Sequence, residues 1–326
     1  MKAIVIEKVG DLGLREIPSP HPGENEIRIR VSACGVCRTD LHILEGDIPL
    51  KKVPIIPGHQ VVGYVESTGD KVKRYKGGER VGVAWIHSSC GRCKFCLKGN
   101  ENLCPDAKFT GYDVDGGYAE FIVVQEDFAY PIPQNFSEVE AAPLLCAGVI
   151  GYRSLKLSQV KRGDRLGLVG FGSSAHIVIQ VAKHIGCEVF VLTREEHHRK
   201  LAKELGAVWV GETYQKPPER LDAAIIFAPV GETVPTTLSF LERGGVLVIN
   251  AIYMTPIPKI DYENLWYERV IRSVANVTKR DAEEFLRVVS EFPLKTVVET
   301  FTLEEAGIAL SKLKEGKIKN SAVLRI

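Results

Sequence analysis

Leu166-Gly167-Leu168-Val169 runs directly into Gly170-Phe171-Gly172-Ser173-Ser174-Ala175. A short apolar strand, a turn of the form G-x-G-x-x-A and the opening of a helix follow one another without a spacer. In this pattern the first glycine permits the tight turn. The second lets the backbone approach a pyrophosphate lying at the helix N-terminus. An ordinary glycine-rich turn between strand and helix shares the motif, so its surroundings decide the reading. Apolar runs recur at Val189 to Leu192, Ala223 to Phe227 and Val246 to Ile249. Between them lie helical patterns, Ile177-Val178-Val181-Ala182-Ile185 ending at Gly186 and Leu201-Ala202-Leu205 ending at Gly206. Glycine just past a helix supplies the left-handed cap. The series is βαβ, which predicts a doubly wound parallel sheet, a Rossmann domain, over 148–290. Gly170, Gly172, Ser173 and Ser174 are its expected cofactor contacts.

The end of the second strand discriminates between the two nicotinamide cofactors. NAD sites place Asp or Glu there for the ribose hydroxyls. Here the strand closes Val191-Leu192-Thr193-Arg194, with Glu195 and Glu196 following. Thr193 replaces the acid, and Arg194 is placed to pair with a 2′-phosphate. That favours NADP over NAD, with a solvated loop arginine as the plain alternative.

Outward from this region the style of the sequence changes. Residues before about 147 alternate in short β patterns, as in Glu26-Ile27-Arg28-Ile29-Arg30-Val31, and turn residues are dense. Strand-like residues return at Val297 to Phe301 and Ala322 to Ile326. The expected organisation is a β domain from 1–147 and 291–326 around the Rossmann domain. A chain of 326 residues, 45% hydrophobic and 25% charged, has material for two such cores. Its net charge of +1 argues against a nucleic-acid or membrane-surface partner. The opening Met1-Lys2-Ala3-Ile4-Val5-Ile6 reads as a strand, not a leader, and no apolar run reaches the roughly 18 residues of a membrane helix. A cytoplasmic protein is expected, in which eight cysteines are ligands or buried thiols more readily than disulfides.

Four of those cysteines stand as C-x2-C-x2-C-x7-C: Cys90, Cys93, Cys96 and Cys104. Two overlapping C-x-x-C pairs, a fourth Cys, and Gly91 and Gly99 for sharp turns favour one tetrahedral, closed zinc site over a redox pair. Elsewhere Cys37, His59 and Cys146 are widely separated. Together they would make an open Cys2His zinc site. From spacing alone that reading is weak: His59 after a glycine reads first as a loop histidine, and Cys146 in an apolar run as a core thiol.

Taken together, Cys37-Arg38-Thr39-Asp40-Leu41-His42, Gly58-His59, the Cys90 to Cys104 lobe, Leu145-Cys146-Ala147-Gly148 and Gly170 to Ala175 occur in the order and spacing of the zinc-dependent medium-chain alcohol dehydrogenases. The chain resembles that family over essentially its whole length, most closely the short bacterial and yeast-like branch. The resemblance implies a GroES-like β domain carrying two zinc ions and a Rossmann domain carrying the cofactor. It assigns Cys37, His59 and Cys146 to the catalytic zinc, and Cys90, Cys93, Cys96 and Cys104 to the structural one. Thr39 corresponds to the hydroxyl that takes the substrate proton, and His42 to the histidine that passes it on. Asp40 corresponds to the carboxylate that orients His59, and Arg38 to a pyrophosphate contact. Trp85 and Ile48 fall where the substrate pocket is lined, with Ile48 where yeast-like enzymes carry a second Trp. The expected substrates are medium-length primary and aryl alcohols and their aldehydes. A homotetramer or homodimer is expected, with the apolar stretch Val246 to Tyr253 near the sheet's edge. Three positions depart from the family: Gln60 stands for a Glu, Asn320-Ser321 for an Arg contact, and Thr193 for the ribose acid. A polyol or thiol-adduct dehydrogenase, or a zinc- and nucleotide-binding protein without activity, are the competing readings; Thr39 and His42 argue against the last.

Overall fold

The computed structural model describes residues 1–326. The chain divides into two units, Met1–Cys146 with Val277–Ile326, and Ala147–Asn276.

The first unit is built on a seven-stranded sheet. Its spine is the strand Glu26–Val36, whose alternating residues Ile27, Ile29 and Val31 are buried as the sequence pattern requires. It pairs antiparallel with Val61–Thr68, with Phe121–Gln125 and with the C-terminal strand Ser321–Arg325. That last strand pairs in parallel with Val298–Thr302, so the end of the chain completes the sheet of its beginning. Ile27, Ile29, Val65, Val81, Ile122, Val124 and Leu324 meet in one core. Each such side chain contributes about 1.5–3 kcal/mol on burial.

The second unit holds six parallel strands in the order Trp209–Gly211, Glu188–Leu192, Arg165–Val169, Leu221–Ile226, Leu241–Ile249, Val270–Ser273. Numbered along the chain this is 3-2-1-4-5-6, the doubly wound order with its switch point between the first and fourth strands. The central strands are buried on both faces, which is why they read as unbroken apolar runs.

One sequence expectation is corrected. The first-unit boundary lies at 276/277, not 290/291. The helix Lys279–Ser290 is tied to the β unit: Glu101 Oε1 accepts the N–H of Lys279 at 2.5 Å, Asn135 Nδ2 donates to the Val289 carbonyl at 3.3 Å, and Arg74 pairs with Glu283 at 3.6 Å. Its Phe285, Leu286 and Val289 are buried. Periodicity names a helix but not the sheet that will cover its apolar face. The helix Glu196–Glu204 is closed, as the sequence leads one to expect, by Gly206 in left-handed conformation at φ +92°. The stretch Val246 to Ile249, expected near the sheet's edge, lies in the strand next to the edge strand Val270–Ser273.

Candidate active site and metal centres

Cys37 ends a strand and starts a helix. It sits in extended conformation as N-cap of Arg38–Glu45, and its N–H donates to Asp40 Oδ2 at 2.9 Å. The helix N-terminus beside its sulfur favours thiolate. His59 is presented by Gly58, whose φ of +97° and surroundings admit only glycine: an added Cβ would fall 2.3 Å from the Tyr118 ring and 2.9 Å from Cys34 Sγ. Cys146 lies at the break between the 3-10 turn Ala142–Leu145 and the helix Ala147–Ser158. The ligand atoms of Cys37, His59 and Cys146 all lie within 4.8 Å of one another. The two sulfurs are 3.9 Å apart.

Asp40 organises this centre. It is fully buried and accepts from four donors: the N–H groups of Cys37 and Gly58 (2.9 and 3.3 Å), His59 Nδ1 (3.1 Å) and the Tyr118 hydroxyl (3.1 Å). A buried carboxylate without such partners would cost several kcal/mol. The bond at Nδ1 turns the other nitrogen of His59 toward the sulfurs, the arrangement metal-ligating histidines need. Burial drives the His59 pKa down, but Asp40 and the neighbouring Cys37 outweigh it and hold it at about 10. A shared hydrogen with Cys146 pulls the Cys37 thiol far down, against its burial, and the same sharing together with burial pushes Cys146 far up. Two sulfurs and an imidazole converge here within 4.8 Å of one another. A soft divalent ion would accept both sulfurs as thiolates, so the donor set fits zinc.

Thr39 Oγ1 lies 3.7 Å from Cys37 Sγ and is nearly buried. His42 is three residues along the same helix, so the two side chains share one surface. Arg38, by contrast, is exposed. Trp85 sets its edge on His59, with centroids 4.7 Å apart and planes at 78°. Phe109 and Tyr112 stack on it at 5.2 and 6.0 Å, and Ile48 packs against the same cluster. Gln60 is buried beside Gly35, and Asn320 and Ser321 are buried at the start of the last strand.

The four lobe sulfurs also lie within 4.8 Å of one another. Cys90 and Cys104 are 3.5 Å apart, as are Cys93 and Cys96. The N–H of Cys93 points at Cys90 Sγ (3.4 Å) and that of Cys96 at Cys93 Sγ (3.5 Å). Backbone donors, from Arg92 and Cys93, hold Cys90 down at about 6, while burial and a shared hydrogen with Cys90 hold Cys104 up at about 11. Four converging sulfurs with amide donors fit a closed zinc site.

In the second unit the glycine turn stands at the switch point. Gly170 has φ +85°, and a Cβ there would fall 2.9 Å from the Ala228 nitrogen. At Gly172 a Cβ would meet nothing of the protein within 4 Å, so packing does not demand glycine there. The helix Ser173–Ile185 begins at Gly172 with no side-chain cap on its first N–H groups. Open space at a helix N-terminus behind a glycine turn fits a dinucleotide pyrophosphate. Thr193 is buried at the end of its strand, and Arg194 is exposed and paired with Glu195 at 2.8 Å. Arg199, which the sequence did not single out, donates to the carbonyls of Thr193 and Arg194 at 2.8 and 2.7 Å. Tyr118, Phe109 and Tyr112 were also missed: they stand far from the ligands along the chain and meet them only through the fold.

A doubly wound sheet with a glycine turn at its switch point, joined in one chain to a β unit with two sulfur-rich clusters able to take a metal, is the architecture of a metal-dependent dehydrogenase. Family models agree: residues 23–134 match the alcohol dehydrogenase GroES-like domain, and 175–291 the zinc-binding dehydrogenase domain. The protein named "Probable alcohol dehydrogenase AdhA" from Mycobacterium tuberculosis is 48% identical over 94% of this chain and 90% of its own length. A cinnamyl alcohol dehydrogenase from Sorghum bicolor superposes with a TM-score of 0.92, at 27% identity over 99% of this chain and 97% of that one. The Helicobacter pylori enzyme titled CAD, solved with NADP(H), gives 0.91 at 26% identity over 99% and 97%. The chain belongs to the zinc-dependent medium-chain alcohol dehydrogenases, oxidoreductases that combine zinc with a nicotinamide cofactor. No helix is long and apolar enough to cross a membrane.

Proposed function

We propose that this chain interconverts primary alcohols and their aldehydes, with Cys37, His59 and Cys146 holding a catalytic zinc and Cys90, Cys93, Cys96 and Cys104 a structural one. The observation that carries the reading is the convergence of Cys37, His59 and Cys146 within 4.8 Å, with Thr39 beside them. When bound, zinc supplies Lewis acidity at the substrate oxygen and the nicotinamide supplies the hydride acceptor. The protein does the rest. Asp40 fixes the orientation of His59. Thr39 offers a hydroxyl to the alcohol proton, and His42 carries that proton outward; histidine titrates in the range where such transfer is useful. Gly170, Gly172, Ser173 and Ser174 cradle the pyrophosphate, with Arg38 as a further contact. Trp85 forms a rigid aromatic wall and Ile48 leaves room beside it, which supports medium-length aliphatic and aryl alcohols. The absent ribose acid at Thr193 and the cation at Arg194 support NADP over NAD.

A homodimer or homotetramer is supported by the second unit's edge strand Val270–Ser273. It pairs on one side only, and exposed Tyr262, Leu265, Trp266 and Tyr267 precede it. The eight free cysteines support a reducing, cytoplasmic setting. The test is turnover of a panel of primary, secondary, aromatic and polyhydroxy alcohols with both cofactors, alongside metal analysis. Primary alcohols with two zincs per chain are expected; a clear preference for polyols or secondary alcohols would reject the substrate reading.

A further inference from the structure

Pro49-Leu50-Lys51-Lys52-Val53-Pro54 begins and ends on proline, which has no N–H to give. No residue of this strap takes part in a backbone-to-backbone hydrogen bond, yet both its ends are pinned. Before it, the N–H of Ile48 donates to the His42 carbonyl at 3.3 Å; after it, Ile55 and Ile6 exchange N–H···O bonds at 2.8 and 3.1 Å. Facing the strap is the turn 109–115, which is well held. The N–H of Asp113 donates to the Phe109 carbonyl at 2.9 Å, and Asp113 Oδ2 accepts the N–H of Phe109 at 3.0 Å. Asp115 Oδ1 accepts the N–H of Ile56 at 3.2 Å. Both aspartates are therefore oriented by the backbone before they meet any cation.

Side chains fasten the strap to this turn. Lys51 Nζ pairs with Asp113 Oδ1 at 3.1 Å and lies 4.8 Å from the centroid of the Tyr112 ring. Lys52 Nζ pairs with Asp115 Oδ2 at 2.6 Å, and the Tyr112 hydroxyl donates to the Pro49 carbonyl at 2.9 Å. An isolated exposed ion pair contributes little, partly because two flexible side chains must be held in one geometry. Here the acids are already held, and Asp113 is only 15% exposed. Beneath the fastening lies one apolar cluster. Ile48, Leu50 and Ile55 enter it from the strap side, and Phe109 and Tyr112 from the turn. Trp85 sits in the same cluster with its edge on His59.

We infer that the Lys51–Asp113 and Lys52–Asp115 pairs form a clasp that sets the width of the substrate pocket; this rests on the reading above in which Trp85 and Ile48 line that pocket. The four are positioning residues and act through the walls they join. Asp113 holds the backbone of Phe109, and Phe109 stacks on Trp85. Lys51 and Lys52 hold the strap that follows directly on Ile48. With the clasp closed, Ile48 stays drawn toward the Trp85 wall, and slimmer primary alcohols are favoured. With it loosened, the strap moves between its two pinned ends and bulkier aryl alcohols gain room. The pairs reach solvent, so added salt weakens them. Pocket width is thereby tied to ionic strength although the substrate carries no charge.

The experiment has two readouts on the native protein. Limited trypsin digestion, with the fragments weighed, follows cleavage after Lys51 and Lys52. Values of kcat and KM for benzyl alcohol and for a bulkier aryl primary alcohol follow the pocket. The variant Asp113→Asn/Asp115→Asn keeps an acceptor for each backbone N–H and removes both charges. It is expected to be cut at the strap about 3–10-fold faster. Its kcat/KM ratio is expected to move about 3–5-fold toward the bulkier alcohol, through KM and not kcat. About 1 M salt is expected to move the wild-type ratio the same way and to leave the variant's ratio in place; the ratio of two uncharged alcohols cancels any effect of salt on the cofactor. Lys51→Arg/Lys52→Arg, which keeps charge and cleavage sites, is expected to behave as wild type. Unchanged cleavage in the Asn variant would show that the pairs do not hold the strap and would overturn the inference. Faster cleavage with an unchanged ratio, while Ile48→Ala shifts it, sinks the inference and leaves the pocket reading standing. An unshifted ratio in Ile48→Ala sinks the pocket reading, and the inference with it. A loss of kcat shared by both alcohols would mark general disruption and count against the clasp.

Discussion

The two candidate metal centres of the β unit gather the same kinds of ligand in opposite ways. The lobe gathers four sulfurs from fifteen consecutive residues, on turns too short to have a core of their own. The other centre draws three ligands from a helix cap, a glycine-presented loop and a break between helices, more than a hundred residues apart from first to last. In the lobe all four donors are protein atoms. In the other the set stops at three, and the neighbouring groups, Thr39, Trp85 and Ile48, are side chains suited to a guest. A closed set of four contributes folding free energy; a set of three on a rigid scaffold is ready for chemistry. On the function proposed above, local assembly serves integrity, and distributed assembly leaves a fourth coordination position for a guest.

Removing one ligand from each centre breaks the comparison most directly. Cys146→Ala is expected to abolish turnover, by about 10⁴-fold or more given the several kcal/mol a Lewis acid supplies, with one zinc of two lost and the melting temperature little changed. Cys93→Ser is expected to do the reverse, losing the other zinc and lowering the melting temperature by about 5–10 °C, with residual activity in the folded fraction. Metal content and calorimetry on both variants decide it. If Cys146→Ala unfolds the protein and Cys93→Ser kills activity without loss of stability, the division of labour is wrong.

How legible each centre is in the sequence follows from the same contrast. The C-x2-C-x2-C-x7-C spacing is a local fact and can be read directly. The strand–glycine turn–helix run at Leu166 to Ala175 is equally local, and the parallel sheet follows from the apolar runs around it. Cys37, His59 and Cys146 were separable from a loop histidine and a core thiol only through family resemblance, because nothing in their spacing says they meet. What the sequence hid altogether is tertiary: the Tyr118 hydroxyl on Asp40, the Phe109 and Tyr112 rings on Trp85, and the attachment of Lys279–Ser290 to the β unit. Asp47 is an intermediate case. It is five residues from His42, but its contact depends on the left-handed turn at Gly46, and the plain expectation for such an aspartate is solvent.

A smaller effect is expected where the open centre meets solvent. His42→Ala is expected to slow turnover about 10²-fold at neutral pH, at the lower end of what general acid–base groups contribute. The defect is expected to shrink as pH rises, because hydroxide can take the proton directly. A pH profile of kcat for the variant tests this, and a loss equal at all pH values would make His42 a packing residue. No substitution in the lobe is expected to give a pH-dependent loss of this shape.

The smallest expected effect concerns what the open centre admits. Trp85 is locked: it is stacked by Phe109 and Tyr112, and the Tyr112 hydroxyl donates to the Pro49 carbonyl at 2.9 Å, which ties the ring stack to the loop carrying Ile48. Replacing Trp85 would therefore disturb the cluster as well as the pocket, as losing a large buried aromatic typically costs about 3–5 kcal/mol. Ile48 is the cleaner probe, since it is half-buried and only partly packed against that cluster. Ile48→Ala removes three carbons beside a wall that stays in place. Each methylene in an apolar pocket is worth about 1–3 kcal/mol of discrimination at most, and a half-buried side chain commands less. The expected outcome is a shift of about tenfold in kcat/KM from short aliphatic toward bulkier aryl alcohols, with zinc content and melting temperature unchanged. Ile48→Trp is expected to shift selectivity the other way, toward the smallest alcohols. If neither variant changes the ranking of substrates, Ile48 does not line the pocket, and the open side of the Cys37, His59, Cys146 centre must face elsewhere.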